Sequence, residues 1–200
     1  PETIIGQIRP VITSAEVNRS RHQGKSFAAA WDNQFGSWEY QAVMNKEKGT
    51  ELVVDWSDET SVRMSAAQLY DIIFESNNKW MLSANGTIFT YEFEAIIPGL
   101  LKRWYAERQE MQRKMHDAGD NEIEKEYWDK RQLVKKINLN SLYGAILNPG
   151  CRFFDIRIGQ SVTLTGRCIT KHMGAKVNEV VSGKYDHKGE SVVYGDTDSV

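Results

Sequence analysis

EIEKEYWDKRQLVKKINLNSLYGAIL, residues 122–147, decides the fold. No proline interrupts it. Asn121 followed by Glu124 makes a capping-box-like start, and Asn148-Pro149-Gly150 is a firm stop. The stretch therefore predicts one long helix. Immediately upstream, Ile97-Pro98 opens a second helix, with proline near the first turn where its missing N–H costs nothing. Leu101, Trp104, Tyr105, Met111 and Met115 give that helix an apolar stripe, and His116-Asp117-Ala118-Gly119-Asp120 breaks it. Two long helices joined by so short a break predict an antiparallel hairpin.

Working outward, residues 160–181 predict a further helix with Val162, Ile169, Met173 and Val177 as its apolar seam, ending before Gly183. On the N-terminal side the period changes. Residues 37–43, 51–56 and 87–93 read as short strands, and residues 66–76 as a helix. Asn85-Gly86 between apolar runs signals a hairpin. Residues 1–30 read as loop with a short helix. Residues 191–194 read as a strand running into a tight turn at Gly195-Asp196-Thr197-Asp198. The fold class is α+β. The chain opens on proline and stops in mid-pattern, so we read it as a segment of something larger.

Composition narrows the classes. Forty per cent apolar and 26% charged residues in a 200-residue chain describe a globular protein with a packed core. No run approaches the roughly 18 apolar residues of a membrane span, which excludes a membrane protein of the helical kind. Two cysteines exclude a disulfide scaffold and a four-cysteine metal site, and make a reducing compartment the default expectation. Trp56, Trp80, Trp104 and Trp128 are evenly spaced, but their flanks share nothing, so no repeat is inferred. The net charge of −2 conceals an asymmetry. Residues 131–176 hold eight Lys or Arg against Asp155 alone, a net +7, while the last 24 residues carry −3. A phosphate-binding face beside a carboxylate site fits that pattern; so does a solvated helix face beside an unrelated turn.

Asp196 and Asp198 stand at i and i+2, so on extended backbone both carboxylates face one side. Hard oxygen donors of this kind suit Mg²⁺ with a substrate phosphate completing the shell. The competing reading is an ordinary Asp/Gly hairpin turn. An EF-hand is excluded, because its fifth position would be Val200. On the 122–147 helix, Lys136, Asn140 and Tyr143 at i, i+4 and i+7 share one face. They offer an ammonium, an amide and an aromatic ring, the groups that would take a triphosphate, a base or sugar edge, and a stacked base. Gly144 beside them would allow a flat ligand close approach, or would merely cap the helix. If the two long helices pack antiparallel, Arg108 and Lys136 converge on one phosphate group; otherwise they are solvated charge.

Together these pieces resemble the family B DNA polymerases. Tyr194-Gly195-Asp196-Thr197-Asp198-Ser199 is similar to that family's YGDTDS palm motif, and KINLNSLYG from Lys136 to Gly144 to its KxxxNSxYG fingers motif. Ser161-Val162-Thr163 with Gly166-Arg167 resembles the helix between them. Ser83-Ala84-Asn85-Gly86 with Ile97-Pro98 resembles the approach to the first fingers helix. Pro1-Glu2-Thr3-Ile4 and residues 152–157 resemble the version carried by T4-like bacteriophages.

The resemblance implies fingers helices at 97–150, a palm segment at 151–200, and a palm-edge and fingers-base segment with an insertion at 1–96. It implies template-directed nucleotidyl transfer from a deoxynucleoside triphosphate to a primer 3′-hydroxyl. Asp198 and Asp196 would hold two Mg²⁺ ions, with the remaining ligands outside this chain. Arg108 and Lys136 would bind the β/γ-phosphates, Asn140 and Tyr143 would face the nascent base pair, and Tyr194 would line the primer side. Implied partners are primer–template DNA, the nucleotide and a sliding clamp met through other regions. The implied location is the cytoplasm of a phage-infected bacterium, with no membrane contact. One departure is Gln112, where the family carries a basic residue four positions after Arg108.

Two rival functions remain open on sequence alone. A glycosyltransferase can use Asp-x-Asp to hold a metal-bound sugar nucleotide. A non-catalytic nucleic-acid-binding module would need the basic block and no carboxylate turn.

Overall fold

The computed structural model describes residues 2–24 and 26–195, without the side chains of Ser14 and residues 26–29. In chain order the elements are β1 (Ile4–Ile8), α1 (Ser14–His22), α2 (Ser26–Asn33), α3 (Trp38–Met44), β2 (Glu51–Trp56), β3 (Ser61–Ser65), α4 (Ala66–Tyr70) with a π-helical turn (Asp71–Glu75), β4 (Trp80–Leu82), β5 (Thr87–Thr90), α5 (Ile96–Asp117), α6 (Glu122–Ile146) and α7 (Ile156–Ser182). The α+β reading holds. Two compact units are present. One contains Phe93–Gly159, the other Thr3–Glu92 together with the stretch from Gln160 onward.

The larger unit is built on a five-stranded antiparallel sheet in the order β3-β2-β1-β5-β4. Alternation along β1 and β2 buries Ile4 and Ile8 from one and Leu52 and Val54 from the other. Ile88 of β5, Val43 of α3, Leu69 of α4 and Ile73 of the π-helical turn complete this core. Each such side chain, fully buried, contributes roughly 1.5–3 kcal/mol. The expected hairpin at Asn85-Gly86 joins β4 to β5, with Leu82 opposite Ile88. Gly86 sits at φ +83°, a left-handed conformation that a Cβ would strain.

Several sequence expectations are corrected here. Residues 37–43 form helix, not strand. The Ser37 hydroxyl accepts from the Tyr40 N–H at 3.1 Å, an N-cap that overrides the β-like alternation. The buried set is Glu39, Ala42 and Val43, a helical spacing. Residues 1–30 are not mainly loop. They contain β1, whose partners lie at Val54–Trp56 and at Thr87–Phe89, and α1, closed by a Thr13–Glu16 capping box. The predicted strand 87–93 ends at Thr90. Residues 191–194 form no strand among the described residues. The Ser191 N–H donates to the Asn178 side chain at 3.0 Å rather than to a neighbouring strand.

Helix α7 begins four residues earlier than expected, because the Asp155 carboxylate accepts the Arg157 N–H at 2.9 Å and caps it. Its expected seam is wrong. Val162, Ile169, Met173 and Val177 are exposed among the described residues. The buried face is small and polar: Ser161, Cys168, Ala175 and Asn178. Specific hydrogen bonds, not apolar area, choose that face.

The smaller unit contains the helical hairpin. Asn121 caps α6 by accepting the Glu124 N–H at 3.3 Å, and Gly119 makes the turn at φ +55°. Lys135 on α6 pairs with Glu107 on α5 at 2.5 Å, and Lys114 on α5 lies 4.7 Å from the Trp128 ring centroid on α6. These cross-links run in opposite sequence directions, so the helices are antiparallel as expected.

Candidate functional site

Packing decides which side of α6 is available. Lys135 turns toward α5: it pairs with Glu107 and lies 5.7 Å from the Trp104 ring centroid. That pairing holds the Glu107 carboxyl below its usual range, ionised at neutral pH. Lys136 follows about 100° further round the helix and is exposed. It makes no hydrogen bond or ion pair among the described residues. Asn140, one turn on, is exposed likewise. Tyr143 is half-buried, and its hydroxyl donates to the Gly159 carbonyl at 3.3 Å. The predicted stripe is therefore real: an unpaired ammonium and an open amide, followed by a ring anchored at its far end.

Arg108 reaches this stripe from α5. Its Nε donates to Gln132 Oε1 at 3.2 Å, and Gln132 lies one turn before Lys136 on the same face of α6. The convergence of Arg108 on the Lys136 face, expected from antiparallel packing, has its geometric basis in that bond. Gly144 is not a helix cap, because α6 continues through Ile146 with Leu147 as the cap. A Cβ at Gly144 would meet nothing within 4 Å, so the helix surface beside Tyr143 is open. At the departure, Gln112, neither neighbour is a free substitute. Arg113 pairs with Glu110, while Lys114 pairs with Glu110 at 3.5 Å and covers Trp128.

The two carboxylates, Asp196 and Asp198, lie outside the described residues. Tyr194, just before them, is exposed. Among the described residues no group of three or more metal-ligating side chains occurs.

In the larger unit the structure joins two segments that the sequence singled out separately. Ser83 Oγ and Ser161 Oγ lie 2.6 and 2.9 Å from Asn85 Oδ1, and the Ala84 N–H donates to Thr165 Oγ1 at 3.1 Å. The Ser83–Gly86 turn is thus keyed onto the first turns of α7, and both serines are buried. The small hydroxyl residues of that motif are needed because the turn sits on them directly.

Sequence reasoning missed a basic cluster in this unit. Arg21 and Arg167 both grip the Asp32 carboxylate, Arg167 at 3.0 Å. Lys171 Nζ donates to the Asp32 and Gln34 carbonyls, each at 2.5 Å. Burial, then the neighbouring Arg167 charge, pushes the Lys171 ammonium down to about 8. The i, i+4 pair Arg167/Lys171 was the one visible signal; Arg21 and Asp32 are more than 130 residues away from it in sequence.

Comparison with known proteins agrees with the motifs. The profile described as DNA polymerase family B matches residues 50–200. The chain is 34% identical over 114 residues to a DNA polymerase of Paramecium bursaria Chlorella virus NY2A, covering 56% of this chain and 12% of that protein. It is 38% identical over 112 residues to a DNA polymerase of Pyrococcus glycovorans, 56% of this chain and 13% of that one. It is 39% identical over 70 residues to the DNA-directed DNA polymerase of Escherichia phage RB69, 34% of this chain and 8% of that one. The matched stretch is thus an eighth or less of the length of most of these relatives.

Proposed function

Because this chain belongs to DNA polymerase family B, we propose that it carries the nucleotide-binding helix and the two-carboxylate turn of a template-directed DNA polymerase of the T4-like phage type. The observation that supports this most directly is the division of labour between adjacent lysines. Lys135 is consumed by Glu107, while Lys136 is left unpaired beside Asn140 and Tyr143, with Arg108 fixed one turn away. An unpaired cation between a guanidinium and an open amide fits a triphosphate. A module that binds only the DNA backbone would use the cation but has no need of the open Asn140 amide and the anchored Tyr143 ring beside it.

In this reading residues 97–150 are the fingers hairpin, 151–200 a palm segment and 1–96 a palm-edge and fingers-base segment with an insertion. The reaction forms a bond from the primer 3′-oxygen to the α-phosphorus and breaks the bond from that phosphorus to the bridging oxygen, so pyrophosphate leaves. The chain's work is positioning and charge neutralisation. Arg108 and Lys136 hold the β/γ-phosphates and neutralise the leaving group. Asn140 and Tyr143 border the base pair. The anchored Tyr143 ring gives that pair a rigid wall. The donor chemistry of Asp196 and Asp198, two hard carboxylates one residue apart, fits Mg²⁺. Bound there, the ion supplies charge stabilisation of the attacking and leaving oxygens. Primer–template DNA, the nucleotide and a sliding clamp are the partners of this reading, and the host bacterial cytoplasm its setting.

Primer extension by the intact protein tests it. Asp198→Ala should abolish extension while DNA binding persists. Lys136→Ala should raise the nucleotide KM or lower kcat by a combined 10²-fold or so, the scale for removing one preorganised donor. Lys135→Ala should leave both within about two-fold. Near-normal extension by Asp198→Ala, or equal losses at the two lysines, refutes the assignment.

A further inference from the structure

The cluster at the end of α2 is poorly neutralised. Four cations from three separate segments meet there: Arg21 of α1, Arg167 and Lys171 of α7, and Lys188 of the loop that follows. Among the described residues one carboxylate, Asp32, pairs with them. Lys171 is satisfied by two neutral carbonyls, and Lys188 by the Asn33 side-chain oxygen. The next acid, Asp186, is already engaged by the Lys188 backbone N–H at 2.9 Å and by Lys184 at 3.7 Å. The nearby imidazoles add no charge, because burial lowers both His172 and His187. Among the described residues Asp32 is thus the one carboxylate paired with the side-chain charges of this cluster, which keeps an excess of positive charge.

Gathering like charges costs free energy unless an anion completes the set. The guanidiniums of Arg21 and Arg167 remain 46% and 34% exposed at their side chains, so an incoming oxyanion can reach them. Guanidiniums and ammoniums together suit a phosphate.

We propose that Arg21, Arg167, Lys171 and Lys188, gathered around Asp32, bind a phosphodiester of the DNA backbone. The site rests on the polymerase reading for its ligand. It holds the backbone without reading bases. Asp32 does two things in it. It holds the two guanidiniums beside each other when DNA is absent, and it competes with the phosphate when DNA arrives.

That double role gives a test in which a merely structural ion-pair network predicts a different sign. Binding of a fluorescent primer–template duplex to the intact protein is measured by anisotropy across a salt series. The double variant Arg21→Gln/Lys188→Gln should flatten the plot of log K against log salt by about two, near 0.9 per lost phosphate contact. It should also weaken binding at least ten-fold near physiological salt. Asp32→Asn should tighten binding several-fold. Thermal midpoints are recorded in parallel. If both variants lower the midpoint and leave the salt slope unchanged, the cluster is structural and the proposal fails. If the double variant changes inhibition by pyrophosphate but not DNA binding, the site takes free phosphates and the proposal also fails. Wild-type extension, scored alongside Asp198→Ala, separates these outcomes from failure of the polymerase reading itself.

Discussion

Gly159→Ala should do harm at a position where helix propensity says it should help. Gly159 lies in the first turn of α7, and alanine there gains roughly 1 kcal/mol of propensity over glycine. Against this, a Cβ at 159 would stand 1.8 Å from Leu147 Cδ2 and 2.7 Å from its Cγ. Because the Cγ is also too close, turning the leucine tip is not enough; the whole side chain at the end of α6 must leave its rotamer. Overpacking of this kind costs about 1–3 kcal/mol. The Gly159 carbonyl also accepts the Tyr143 hydroxyl, and loss of that bond adds about 0.5–1.5 kcal/mol. The net expectation is destabilisation by about 1–3 kcal/mol.

Denaturant unfolding of the intact protein and of Gly159→Ala, Leu147→Ala and the double variant forms a cycle. The double variant should be more stable than the sum of the singles by at least about 1 kcal/mol, since removing the leucine relieves the clash. Extension assays should show a raised nucleotide KM for Gly159→Ala as the Tyr143 ring loosens. A stabilised Gly159→Ala, or an additive cycle, would refute the packing argument.

Two further outcomes follow from the larger unit. Ile88→Ala empties a fully buried position of the sheet core and should cost about 2–5 kcal/mol with an unchanged denaturant slope; a loss under 1 kcal/mol would mean that the sheet is not packed as described. Lys171 has its pKa lowered by folding, from 10.5 to about 8, so between those values the unfolded chain binds more protons and stability rises with pH. The whole shift would amount to about 3 kcal/mol, and solvent screening of this half-buried group reduces it to about 1–2. Lys171→Met should remove that alkaline rise in stability, and a rise of unchanged size would assign it elsewhere.

What could be read from sequence alone was what is encoded locally. Asn121, Pro98 and Asn148-Pro149-Gly150 mark helix ends by caps and breakers, so α5 and α6 were placed within a residue or two. Residues 51–56 were read correctly as β2. The stripe Lys136–Asn140–Tyr143 follows from spacing alone. The failures are non-local or concern competing local signals. β1 reads IIGQI, with glycine and glutamine interrupting its isoleucines, and it becomes a strand only because β2 and β5 flank it. In residues 37–43 period two and a serine cap point to different structures, and the cap prevails. The apolar residues of α7 gave the wrong face because its burial follows Ser161 and Asn178, whose partners lie in distant segments or in the following loop. The Asp32 cluster has no sequence signature beyond the i, i+4 pair Arg167/Lys171, since its other members are joined to that pair only by folding.

The adjacency of Lys135 and Lys136 sets a rule for how such a chain can drift. One extra residue inserted inside α6, anywhere between its cap and this pair, would swing the downstream surface by about 100° relative to α5, putting Val134 where Lys135 now meets Glu107 and carrying Lys136 past its open position. The connector at 118–120 can change length without that penalty. Lineages descended from this sequence should therefore vary at the tip of the hairpin while keeping the count from 121 to 136 fixed.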